Sequence, residues 1–196
     1  DVPIVADMSS DCLWRKHDLS RVGLIYAGAQ KNLGPAGATA VVIRQDLLEK
    51  CRQDPPIILR YGTQAKKAGL YNTPGCFAVY AVGKVLAWMK KKGGPEAFHK
   101  LNLEKGNLLY GLFEKYPEFY RCPVEPASRS YMNVVWRMPT EELEKQFVAE
   151  AREENLVGLK GHRSVGGCRA SLYNSLPLES VQALAAFMEA FAAKHA

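Results

Sequence analysis

Residues 2–6 are almost uniformly apolar and lead into Asp7-Met8-Ser9-Ser10, the pattern of a buried strand that emerges at a polar end. Two further short apolar runs, residues 23–27 and 39–44, predict strands separated by the Gly-rich segment Gly34-Pro35-Ala36-Gly37. Residues 45–52 read as a helical turn, broken by Asp54-Pro55-Pro56. Pro74 suits the first turn of a helix to about residue 92, with Phe77, Tyr80, Ala81, Val85 and Trp88 at helical spacing. Gly93-Gly94-Pro95 stops that helix and opens a longer one to about residue 115, carrying Phe98, Leu101, Leu108 and Leu112. Residues 131–138 alternate, with Met132, Val134, Trp136 and Met138 on one face, as a half-buried strand does. Thr140 is a good N-cap, with Glu141 and Glu142 in the first turn, for a helix to about residue 155. Short strands are expected at residues 157–159 and 169–172. A last helix over residues 178–194 runs through Val181, Leu184, Phe187, Met188 and Phe191.

This order predicts an α/β chain: a parallel or mixed sheet, two connecting helices, then a small α/β layer. The boundary falls near residues 93–100, dividing an incomplete sheet domain (1–95) from a compact second domain (96–196). A chain that opens inside a buried strand is expected to be the C-terminal portion of something longer. The 196 residues allow one large or two modest domains, and 47% apolar with 23% charged residues is an ordinary globular balance. No apolar stretch approaches a membrane span. The five cysteines, Cys12, Cys51, Cys76, Cys122 and Cys168, never form a Cys-x-x-Cys pair. That suits a reducing compartment, the cytoplasm, and argues against a structural zinc site. The net charge of +6 fits nucleic acid or anionic small molecules, but the basic residues are dispersed. The densest run, Lys90-Lys91-Lys92, reads better as a solvated helix end than as a nucleic-acid patch.

The most informative segment is residues 26–37, where Lys31 sits alone among small residues after an apolar strand. Crowding by backbone favours a nucleophilic amine able to form a Schiff base, and glycine and alanine neighbours let a flat ring approach. Taken alone, the segment reads equally well as an exposed turn lysine. Asp7 adds a carboxylate at the end of a neighbouring strand, where the ring nitrogen of pyridoxal phosphate (PLP) would find its partner. By itself Asp7 is a strand-end cap. In residues 160–171, small residues carry His162, Arg163 and Arg169 on a loop running into a strand, which suits a doubly anionic ligand or else is a glycine-rich turn with solvated arginines.

Residues 6–10, 26–37, Tyr71-Asn72-Thr73-Pro74 and residues 160–171 together resemble the phosphoserine aminotransferase family, in order and across essentially the whole chain. The resemblance implies a fold-type I PLP enzyme of class V. Such an enzyme is cytoplasmic and homodimeric and exchanges an amino group between the pair O-phosphoserine and 2-oxoglutarate and the pair 3-phosphohydroxypyruvate and glutamate, in serine biosynthesis. It implies Lys31 as Schiff-base lysine, Asp7 as pyridinium partner and Gln30 beside the cofactor. Asn72 and Thr73 would reach the cofactor phosphate of the other subunit. His162 and Arg163 would bind the substrate phosphate, and Arg169 would clamp the α-carboxylate with two parallel hydrogen bonds.

Two departures stand out. Gly75-Cys76 replaces the second proline the family usually has after Asn-Thr-Pro. The family's phosphate-cradling turn, stacked aromatic and further substrate cations would lie upstream of Asp1, so the chain alone is expected to be inactive. Three other readings remain: a desulfurase of the same fold, disfavoured because no cysteine sits in an obvious mobile catalytic loop; a non-catalytic half-enzyme; and a nucleic-acid module, which lacks a recognisable motif.

Overall fold

The computed structural model describes residues 2–195, which divide into two compact units between Glu96 and Ala97. In the first unit, strands β1 (Ile4–Asp7), β2 (Val22–Gly28) and β3 (Thr39–Ile43) form one sheet in the order β1-β2-β3. The pairing is mixed: β1 runs parallel to β2, with Asp7 opposite Tyr26, and β3 runs antiparallel to β2, with Thr39 opposite Gly28. Helices α1 (Gln45–Glu49), α2 (Tyr61–Lys66) and α3 (Cys76–Lys91) follow. The core of this unit is small: Ala27, Ala29 and Leu33, backed by Met8, Cys12, Leu13, Ala38 and Val82.

Helix α4 (Gly94–Lys115) crosses from the first unit into the second. The second unit continues with β4 (Asn133–Trp136), α5 (Glu141–Glu153), β5 (Cys168–Ser171) and α6 (Leu178–His195). Strands β4 and β5 pair antiparallel, Val135 opposite Arg169. The alternation of residues 131–138 buries Met132, Val134, Trp136 and Met138 together against the helices. Trp136, Phe147 and Phe191 form the aromatic centre, with ring centroids 5.8 and 5.2 Å from Phe147. Each such buried aromatic contributes roughly 1.5–3 kcal/mol through removal of apolar surface from water. Thr140 caps α5 as its residue type dictates, its side chain accepting from Leu143 N at 3.2 Å.

Several sequence expectations are corrected here. The first strand carries a buried strand's apolar pattern yet is the exposed edge of this incomplete sheet, Val2 and Val5 being 93% and 61% exposed. Residues 157–159 form no strand, because Gly158 adopts φ +79 and turns the chain, leaving only an isolated bridge between Lys160 and Cys168. Helix α1 stops at Glu49, and α2 had no apolar period to announce it. No helix among the described residues is long and apolar enough to cross a membrane.

Candidate active site

In the first unit, backbone pairing brings the ends of β1 and β2 side by side and so sets Asp7 near the turn that carries Lys31. Met8 N donates to Tyr26 O at 2.8 Å, extending the β1–β2 pairing past Asp7. Ser9 closes the corner twice: its amide donates to Asp7 Oδ1 at 2.9 Å, and its hydroxyl accepts from Gly28 N at 3.0 Å. Beyond Gly28 the chain turns tightly, with Gly34 N donating to Ala29 O at 2.7 Å and Ala29 N to Ala38 O at 3.0 Å. Ala29, Asn32 and Leu33 are buried under the turn while Lys31 is half-buried. The Asn32 side chain anchors the turn to the loop after β1, donating to Cys12 O at 2.9 Å.

The electrostatics follow from this placement. Ser9, through both hydroxyl and amide, holds the Asp7 carboxyl below its usual range and outweighs desolvation; the Tyr26 hydroxyl and the Lys31 cation add smaller contributions in the same direction as Ser9. Asp7 in turn pushes the Tyr26 phenol up. Asp7 is therefore an ionised carboxylate within electrostatic reach of the one lysine on the turn. Such a carboxylate and amine are the donor set that a protonated pyridine ring and an aldehyde require, so the residues present fit PLP. Gln30 is exposed, and its amide lies against Gly28, where an added Cβ would come 2.5 Å from Oε1. Asn72 and Thr73 lie on the exposed segment ahead of α3, where Asn72 Nδ2 donates to Thr73 O at 3.4 Å.

In the second unit, residues 161–167 close into a loop. Gly161 N donates to Gly167 O at 2.8 Å, and the amides of Val165 and Gly166 donate to His162 O at 2.9 and 2.8 Å. Gly166 and Gly167 supply the left-handed turn, at φ +76 and +69. His162 Nδ1 is engaged within the loop, 2.7 Å from Ser164 Oγ and 3.3 Å from Ser164 N, while the residue itself is exposed. Arg137 braces the loop, donating to Val165 O at 3.1 Å while paired with Glu144 at 2.6 Å. A cavity of about 630 Å³ opens here, lined by Lys145, Lys160, His162, Arg163 and the Arg137–Glu144 pair. Arg169 projects from β5, and its Nε is buried without a hydrogen-bond partner. A buried N–H of this kind needs an acceptor, and a carboxylate has the geometry to be one.

Asp7, Gln30 and Lys31 thus share one corner of the first unit, whereas His162, Arg163 and Arg169 belong to the second. Sequence reasoning missed Ser9, Tyr26 and Asn32 as supports of the first group and Arg137 as the brace of the loop. Ser9 alone had a signal, as a hydroxyl two residues after a strand-end carboxylate.

The class-V aminotransferase family model matches residues 1–184. Among curated proteins, the phosphoserine aminotransferase of Desulfotalea psychrophila is 54% identical over 192 residues, covering 98% of this chain and 53% of that protein. That of Lysinibacillus sphaericus is 52% identical over 195 residues, covering 100% of this chain and 54% of its own length. Among solved structures, phosphoserine aminotransferase from Bacillus circulans subsp. alkalophilus superposes with a TM-score of 0.95 at 49% identity, over 100% of this chain and 54% of that one. A PLP-bound phosphoserine aminotransferase from Trichomonas vaginalis superposes with a TM-score of 0.90 at 39% identity, over 96% of this chain and 55% of that one. The chain spans about half the length of the curated relatives it matches.

Proposed function

This chain belongs to the class-V aminotransferase family and has the α/β, fold-type I architecture of its solved structures, and from that premise we propose that it forms half of a phosphoserine aminotransferase. The reaction is exchange of an amino group between O-phosphoserine and 2-oxoglutarate, in the cytoplasm, as a step of serine biosynthesis. When bound, PLP supplies an electron sink for negative charge at the substrate α-carbon. Lys31 Nζ would hold the cofactor and would take up and return the proton of the substrate α-carbon. Asp7 would hold a proton on the ring nitrogen, and Gln30 would lie beside the cofactor. Asn72 and Thr73 serve the cofactor phosphate of the partner in a homodimer.

Arg169 takes the α-carboxylate that both substrates share, because a guanidinium fork matches a carboxylate with two parallel hydrogen bonds. Arg163, with His162 beside it, takes the distal end, phosphate in one substrate and carboxylate in the other. By itself the chain is inactive, since the complementary half supplies the remaining cations and the cofactor's phosphate cradle. The observation that carries this reading is the Asp7 carboxylate, held ionised by Ser9 and within electrostatic reach of Lys31.

The test is single-turnover kinetics of each half-reaction in an enzyme of full family length carrying this chain. Arg169→Lys impairs both half-reactions by roughly the 1.5–3 kcal/mol of a charged hydrogen bond. Arg163→Ala impairs the phosphoserine half-reaction more, because the doubly charged phosphate loses more when its cation is removed. Equal losses in both half-reactions for Arg163→Ala would show that it does not read the phosphate.

A further inference from the structure

Lys105 lies on α4 with no exposed surface. Ammonium groups are rarely buried so completely without an anion beside them, and among the described residues no carboxylate contributes to its electrostatics. Its partners are three backbone carbonyls instead: Nζ donates to Leu172 O at 2.9 Å, Tyr173 O at 3.0 Å and Leu176 O at 3.2 Å. Burial lowers its pKa from 10.5 to about 8. Only the charged form carries three N–H bonds for three carbonyls, so the arrangement is built for the ammonium.

The segment so gathered is the one that follows β5. Asn102, one turn earlier on α4, donates to Asn174 Oδ1 at 2.8 Å. Leu172 N donates to Met132 O at 2.8 Å, and the Tyr173 hydroxyl accepts from Asn133 Nδ2 at 2.9 Å. Strand β5 has four residues and one partner strand, a ribbon that is marginal without outside support. On its N-terminal side lies the exposed glycine loop of residues 161–167. The firm anchor is therefore at its C-terminal end, three residues after Arg169.

We propose that Lys105 is a positioning residue for Arg169: by gathering the carbonyls of Leu172, Tyr173 and Leu176 it fixes the end of β5 and sets where the Arg169 guanidinium meets a ligand carboxylate. The proposal rests on the reading of Arg169 as the carboxylate clamp. A lysine kept for packing alone would tolerate methionine, which has similar length and no charge, without any change in ligand affinity.

The experiment uses the full-length holoenzyme and glutarate, an unreactive dicarboxylate, as competitive inhibitor. Lys105→Met, Arg169→Lys and a core control, Phe147→Leu on α5, are compared with the parent, with thermal midpoints and amide exchange of residues 168–176 measured in parallel. The expected result is about tenfold weaker glutarate binding for Lys105→Met, in the range of one lost charged hydrogen bond, with faster exchange in that segment. Phe147→Leu stays near the parent affinity despite its own loss of stability. If Lys105→Met binds like the parent while Arg169→Lys is weakened, the proposal is overturned and the clamp stands. If neither variant weakens glutarate, the reading of Arg169 fails and the proposal falls with it. Should Lys105→Met not fold, Lys105→Gln, which keeps two N–H donors, is judged by the same comparison.

Discussion

Replacing Gly161 with alanine probes the phosphate end of the proposed site through backbone geometry alone. A Cβ built on Gly161 would lie 2.0 Å from Gly166 O and 2.6 Å from Gly167 O, and neither backbone atom can rotate away. Ordinary contact begins at 3.4 Å, well beyond both separations, so the loop must open at its neck. Opening breaks the 2.8 Å bond from Gly161 N to Gly167 O, a loss of about 0.5–1.5 kcal/mol, with overpacking adding about 1–3 kcal/mol. The strain is relieved locally, because His162, Arg163 and Ser164 face solvent rather than the core. His162 and Arg163 then move by an ångström or more, a misplacement worth about 100-fold in rate when it falls on a substrate-positioning group. In single-turnover assays of the full-length enzyme, Gly161→Ala should slow the phosphoserine half-reaction by about that factor. The glutamate half-reaction should slow less, since Arg169 lies on the paired strand. Parent-like phosphoserine kinetics, or equal slowing of both half-reactions, would refute the assignment of this loop to the phosphate.

Two further outcomes follow from the same geometry. Mixing an inactive Lys31→Ala subunit with a Thr73→Ala subunit should restore activity by building one intact site per heterodimer; heterodimers that form and stay inactive would count against a shared site. Burial, with the Glu144 carboxylate adding to it, raises the Cys168 thiol from 9.0 to about 12. The unfolded thiol then ionises first, so stability is unaffected below pH 9 and falls as pH rises from there toward 12, by up to about 4 kcal/mol. Denaturant unfolding at several pH values should show that fall reduced in Cys168→Ala, and parallel profiles for the two proteins would contradict it.

Much of the second unit was legible because its elements satisfy themselves. The alternation through Met132, Val134, Trp136 and Met138, the cap at Thr140 and the period of Val181, Leu184, Met188 and Phe191 all point at one core, and the structure buries them there. The first unit was less legible. The helical spacing of Phe77, Tyr80 and Trp88 is real, but α3 leaves Phe77 and Tyr80 76% and 62% exposed and buries Ala78 and Met89 instead. Spacing identifies a helix and an apolar stripe; what covers the stripe is not written in the helix. The same holds for β1, whose apolar run announced a strand but not its position at the sheet edge. Within the site, Lys31 and Asp7 carried recognisable chemistry. Ser9, Asn32 and Lys105 act by hydrogen-bonding backbone groups 19, 20 and 67 residues away in sequence, and no local pattern encodes such partners.

The central claim, that Lys31 is the cofactor lysine of an aminotransferase, is tested most directly by chemical trapping. The full-length enzyme carrying this chain is loaded with PLP, reduced with borohydride, digested and mapped by mass spectrometry. The expected result is the reduced cofactor on the peptide that contains Lys31, and none after Lys31→Ala. Cofactor mass on any other lysine, or an unlabelled Lys31 in a protein that binds PLP, would contradict it.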